Sequence, residues 1–146
     1  MQKFSSLCKK SPGDKIAKYL EYNRDLLNCL DGLPLREAAR GGNIEVVDKL
    51  LGTSGILVNL QSKKYLFFSC LGFILLCIPV DVHGLTALHF ASITDNPDLV
   101  QKLLDHEDIQ PNIKDKKGFT PVMSASFKGK TNSLKVTDKI EDDFNK

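Results

Sequence analysis

Gly84-Leu85-Thr86-Ala87-Leu88-His89-Phe90-Ala91 reads as a turn followed by a helix start. Thr86 can cap that start with its hydroxyl, and the small residues Ala91 and Ser92 let a neighbouring helix approach closely. The stretch has echoes. From Leu88, apolar residues fall at Leu99, Val100, Leu103 and Leu104, and an asparagine at Asn112. From Leu35, in Pro34-Leu35-Arg36-Glu37-Ala38-Ala39, the same offsets reach Val46, Val47, Leu50, Leu51 and Asn59. Every offset agrees in chemistry, so the chain is a repeat.

Two weaker copies flank these. Thr120-Pro121-Val122-Met123-Ser124-Ala125 lies 34 residues after the Thr86 motif, and Gly129 falls where Gly42 and Asp95 fall. Its later offsets land on Ser133, Leu134, Thr137 and Asp138, so this copy begins well and decays. Phe4 anchors the other copy, with Ile16, Tyr19, Leu20 and Asn28 in register and Lys15 out of pattern. In each full unit Gly41-Gly42-Asn43 or Thr94-Asp95-Asn96-Pro97 breaks the first helix. The second helix then carries an apolar face at i, i+1, i+4 and i+5. Such a helix pair cannot bury its face alone, so the units must stack.

The pattern D-x-x-G-x-T-P-L-H-x-A, then G-N-x-x-V-V-x-x-L-L, then V-N, resembles the ankyrin repeat. It stands as Asp81–Ala91, as Asp115–Ala125 and, more loosely, as Asp31–Ala39. Ala87 replaces the usual Pro, and Arg36 and Met123 replace the His. The resemblance implies an all-α, ankyrin-repeat-like solenoid of about four helix–turn–helix units, the terminal ones imperfect. The expected division is a degenerate repeat over 1–28, repeats over 29–61 and 81–114, a partial repeat over 115–130 and a polar tail over 131–146. His89 is expected to hydrogen-bond locally at its helix start.

The segment 62–80 is foreign to this frame. Leu35 and Leu88 stand 53 residues apart rather than 34, and the excess equals the length of Ser62–Val80. Three readings stay open. Tyr65–Val80 is an uncharged run of 16 residues. As a helix it reaches about 24 Å, against about 30 Å for a bilayer core, and a crossing would part neighbouring repeats. An apolar hairpin or helix packed on the stack would bring Tyr65, Phe67, Phe68, Phe73 and Ile74 to a surface that needs covering. A translated intron would also fit. Ser-Lys can be encoded with a donor-like GTAAG, and a pyrimidine tract reads as Phe, Leu, Ser, Ile and Pro.

Composition narrows the function. With 42% hydrophobic and 26% charged residues the chain is globular, and its net charge of +2, from 20 basic and 18 acidic groups, gives no reason to expect nucleic acid. Cys8, Cys29, Cys70 and Cys77 have no C-x-x-C spacing, and no apolar stretch develops before Lys9 and Lys10. Free thiols in the cytoplasm or nucleus are expected, with the membrane as the alternative. His83, His89 and His106 lack metal-ligand spacing. No nucleophile–base arrangement, phosphate loop or carboxylate pair appears, so no enzyme, cofactor or metal is expected.

What remains is binding another protein, by a monomeric scaffold or adaptor. In the ankyrin architecture, turn tips and first helices form a concave surface. The resemblance places Leu30, Asp31, Val82, His83, Lys116 and Lys117 at the tips, and Glu37, Arg40, Phe90, Ile93, Ser124 and Phe127 on the first helices. Most surface positions are merely solvated. Phe90 and Phe127 stand out because an exposed aromatic is costly unless covered, and Lys116 and Lys117 suit an acidic partner.

Overall fold

The computed structural model describes Lys18, residues 28–62 and residues 83–136. Among these the secondary structure is helical, without strands. The helices are α1 (Cys29–Arg40), α2 (Ile44–Leu51), α3 (Ala87–Ile93), α4 (Pro97–Leu104), α5 (Pro121–Phe127) and a short α6 over 131–136. The rest of the expected first unit, the insertion residues Tyr65, Phe67, Phe68, Phe73 and Ile74, the tip residue Val82, and the chain from 137 onward lie outside the described residues.

Local chemistry sets the helix ends. Asn43 and Asn96, in register, accept hydrogen bonds from the amides of Val46 and Leu99 at 3.2 and 3.1 Å, capping α2 and α4. Pro97 and Pro121 sit at helix starts, where a missing N–H costs nothing. Thr86 and Thr120 cap α3 and α5. The α1 copy differs. Gly32-Leu33-Pro34-Leu35 is one residue shorter than Gly84-Leu85-Thr86-Ala87-Leu88, and the missing residue is the capping threonine. Accordingly α1 starts without a side-chain cap, and its left-handed Gly32 (φ 73°) lies within the helical span.

First helices pack on first helices, α1 on α3 and α3 on α5. Second helices do the same, α2 on α4, while α2 packs on α1 and α4 on α3. The core between the two rows is made of the residues the repeat singles out: Leu35, Val46, Val47, Leu50, Leu88, Leu99, Val100 and Leu103, joined by the small Ala38, Ala39 and Ala91. Burying one leucine of this kind is worth about 1.5–3 kcal/mol. Lys102 on α4 adds an exposed ion pair to Asp48 on α2.

Two further devices repeat along the stack. Asn28 donates to Gly55 O (2.7 Å) and accepts from Leu57 N (2.9 Å). Asn59 donates to Asp108 O (2.6 Å) and accepts from Gln110 N (2.8 Å). In both cases the partners lie four and two residues before the next asparagine of the series. Asn28 thus makes to the chain after α2 the same pair of bonds that Asn59 makes to the chain after α4. The second device is a left-handed residue after each first helix: Gly42 (φ 69°), Asp95 (φ 57°) and Gly129 (φ 66°). At Asp95 a side chain replaces glycine's freedom with function. Its carboxylate accepts from the amides of Asn132 and Ser133 and from Asn132 Nδ2, all at 3.1 Å. These bonds cap α6, so the stretch expected as a polar tail begins as helix, with Val136 packed against the core.

The insertion leaves and rejoins the fold at one place. In the intact finger that follows α4, Asp115 N donates to Phe119 O (2.8 Å) and Phe119 N to Asp115 Oδ1 (2.9 Å). In the interrupted finger, Ser62 N donates to Leu85 O (3.2 Å) and Leu85 N to Ser62 Oγ (3.1 Å). Ser62 therefore does what Asp115 does, and the extra chain enters at the finger tip while the base stays closed. A single bilayer crossing between Ser62 and Leu85 would part them by about 30 Å and would separate α1 and α2 from α3 and α4, which pack together. The expected alternative of a chain anchored by one pass of 65–80 is incompatible with this packing. Among the described residues no helix is long and apolar enough to cross a membrane.

Candidate functional site

The fingers and the first helices enclose a cleft of about 410 Å³, within the about 300–1,000 Å³ range of ligand sites. His83 and Leu85 come from the interrupted finger, and Asp115, Lys117 and Phe119 from the intact one. Ile93 ends α3, Ser124 and Phe127 belong to α5, and Lys128 follows it. The lining is mainly apolar, from Leu85, Ile93, Phe119 and Phe127. Phe119 and Phe127 meet at 5.9 Å between ring centroids, tilted by 58°, within the separation at which aromatic pairs attract. Phe127 is nonetheless 76% exposed, the most exposed large apolar side chain among the described residues.

Hydrogen bonds hold the walls. His83 O accepts from Lys116 N at 2.9 Å, tying one finger to the next. Gln61 Nε2 donates to both Gly84 O (2.8 Å) and Lys114 O (2.7 Å) across the same junction. Asp115 Oδ1 accepts from Lys117 N (2.8 Å) as well as Phe119 N, so its charge is turned into the finger. His89 is fully buried. Its Nδ1 accepts from Thr86 N (3.2 Å) and lies 2.9 Å from Thr86 Oγ1, completing a capping box. With Nδ1 an acceptor, the proton sits on Nε2 and is donated to Phe119 O at 3.0 Å. His89 thus positions the carbonyl of a residue that lines the cleft.

A family model described as ankyrin repeats (three copies) matches residues 62–137, just over half of the chain. The chain belongs to the ankyrin repeat family. Ankyrin repeats generally serve protein–protein interaction and are typically non-enzymatic. Among the described residues no group of three or more His, Cys, Asp or Glu is placed to hold a metal ion.

Within this ankyrin stack, five of the residues expected at the concave surface converge on the cleft: His83, Ile93, Lys117, Ser124 and Phe127. Others stand elsewhere. Phe90, expected to be exposed, is half-buried against the core, with the Arg40 guanidinium 6.0 Å from its ring centroid. Arg40 also pairs with Glu37 at 3.5 Å, and Glu37 is itself nearly buried. The stem of Lys116 lies over Gly84, where an added Cβ would come within 3.0 Å of it, so the Lys116-Lys117 pair divides and only Lys117 faces the cleft. Leu30 and Asp31, expected at a turn tip, fall inside the span of α1.

Leu85, Phe119, Asp115 and Lys128 complete the lining and were not singled out from the sequence. The signal was present for two of them. An apolar residue stands between Gly and Thr in both Gly84-Leu85-Thr86 and Gly118-Phe119-Thr120. It reads as core, and its half-burial in the finger emerges only when two fingers lie side by side.

Proposed function

We propose that the protein is a scaffold or adaptor that binds another protein through the cleft between its fingers and first helices. The observation that supports this most directly is Phe127. A 76% exposed phenylalanine at the mouth of a mainly apolar cleft is costly unless a partner covers it. The surrounding positions, Ile93, Ser124, Lys117 and His83, are those through which the ankyrin architecture presents its concave face. The reading needs no cofactor, nucleic acid or bilayer, and it places the protein in the cytoplasm or nucleus as a monomer before it meets its partner.

A photo-crosslinking side chain placed at Phe127 tests the reading in cells, with Gln101 on the exposed side of α4 as the control. A discrete adduct from position 127 and none from position 101 is the expected result. Adducts of equal yield from both positions, or none from 127, would remove the cleft from consideration.

A further inference from the structure

The cleft carries a charge pattern that the composition does not reveal. Over the whole chain basic and acidic residues nearly cancel. At the cleft they do not. Lys117 stands on the finger side and Lys128 just beyond α5. Both are exposed, and among the described residues neither forms an ion pair. The one carboxylate in the lining, Asp115, spends Oδ1 on two amides of its own finger. Lys116 adds a further exposed cation at the adjoining tip. Between these charges lies the apolar surface of Ile93, Phe119 and Phe127.

Resting on the reading of the cleft as the binding site, we propose that its occupant is an extended, acidic segment of another protein. The segment inserts one bulky aromatic or aliphatic side chain against Ile93, Phe119 and Phe127 and sets carboxylates on either side of it, facing Lys117 and Lys128. The apolar anchor supplies most of the affinity, because it leaves water for a preformed cleft. The carboxylates supply orientation and partner choice, because like charges at the same places would be repelled. Binding of this kind weakens with salt, since both lysines are exposed to screening.

The protein contains no tryptophan, so a single Trp in a synthetic peptide reports its own burial. Three peptides are titrated into the full chain: a Trp flanked by Glu on both sides, the same peptide with Gln for Glu, and the same with Lys for Glu. The Glu peptide is expected to bind with a blue shift of Trp emission, and the Gln peptide to bind about tenfold more weakly, with little salt dependence. The double variant Lys117→Glu/Lys128→Glu should reverse the preference in favour of the Lys peptide, and Phe127→Ala should weaken all of them. Circular dichroism confirms folding, and Lys117→Gln/Lys128→Gln serves as the milder variant, expected to level the three affinities.

Equal affinities for the Glu, Gln and Lys peptides, all lost in Phe127→Ala, would overturn the acidic partner while leaving the cleft as a binding site. Affinities insensitive to Phe127→Ala would overturn the cleft reading itself. No binding of the Glu peptide up to millimolar concentration would count against the proposal.

Discussion

The α3–α4 pair and the α5–α6 pair share one repeat frame and use it differently. Leu99, Val100 and Leu103 of α4 are fully buried, whereas α6 offers the frame a buried serine, Ser133, and a half-buried Leu134. His89 in α3 is buried and donates to the next unit, while Met123 at the same offset in α5 is 51% exposed. Ile93 is half-buried, and its counterpart Phe127 is exposed. A unit with a neighbour on each side can afford polar groups that need partners and helices that need cover. In α5 the offsets of His89 and Ile93 hold Met123 and Phe127, which need no hydrogen-bond partner, and Phe127 is left at the cleft. One position is therefore half-buried in α3 and, in the reading proposed above, free for recognition in α5.

The largest expected separation between the two pairs comes from their leucines. Leu103→Ala should cost about 2–5 kcal/mol, transfer and cavity together, and Leu134→Ala about 1 kcal/mol or less, both measured by urea unfolding. Equal costs would mean that α6 is as firmly packed as α4. Next is the histidine. His89→Ala leaves Thr86 N and Phe119 O short of a partner and should cost about 1–3 kcal/mol, while Met123→Ala should stay within about 0.5 kcal/mol. A thermal melt of each variant checks the pair.

A smaller effect is expected from removing the extra chain. Joining Ser62 to Val82 restores the length of the intact finger, and shortening a loop whose ends are already bonded changes stability by only about 1 kcal/mol. Ser62→Asp in that background should add about 0.5–1.5 kcal/mol through a charged acceptor for the finger amides. Unfolding of the shortened chain would show that 63–81 supports the stack.

The finest comparison concerns Asp95. The amide of Ser133, with further bonds from Asn132 and the charge of Lys130, outweighs desolvation and holds its carboxyl below the usual carboxylate value of 3.8. Because the folded value is the lower one, the cap is fully present above about pH 4. It is lost as pH falls through the folded value. Amide exchange at Asn132 and Ser133 should therefore quicken selectively below that point. Asp95→Gly, which keeps the left-handed turn but removes the acceptor, should quicken it at neutral pH while α4 amides stay protected.

The core was legible in the sequence because burial follows the repeat offsets, and the same offsets land on Leu35, Leu50, Leu88 and Leu103. The placement of 131–136 was not, because its cap is supplied by Asp95, 37 residues earlier. Nor was the role of Ser62. Serine and aspartate look unlike in a motif but are alike as acceptors of a finger amide. At the site, position in the frame singled out Ile93, Ser124 and Phe127, and all three line the cleft. It misjudged Phe90, because the frame does not say how far the neighbouring Arg40 reaches.

The asparagines that end successive units grip only backbone, one carbonyl and one amide each. Such a grip is indifferent to the side chains of the unit it holds, so neighbouring units can diverge without renegotiating the joint. Among the described residues Asn112, the next of the series, is solvent-exposed. Because the joint reads backbone alone, the side chains that one unit presents become a design variable separate from the joint that holds it.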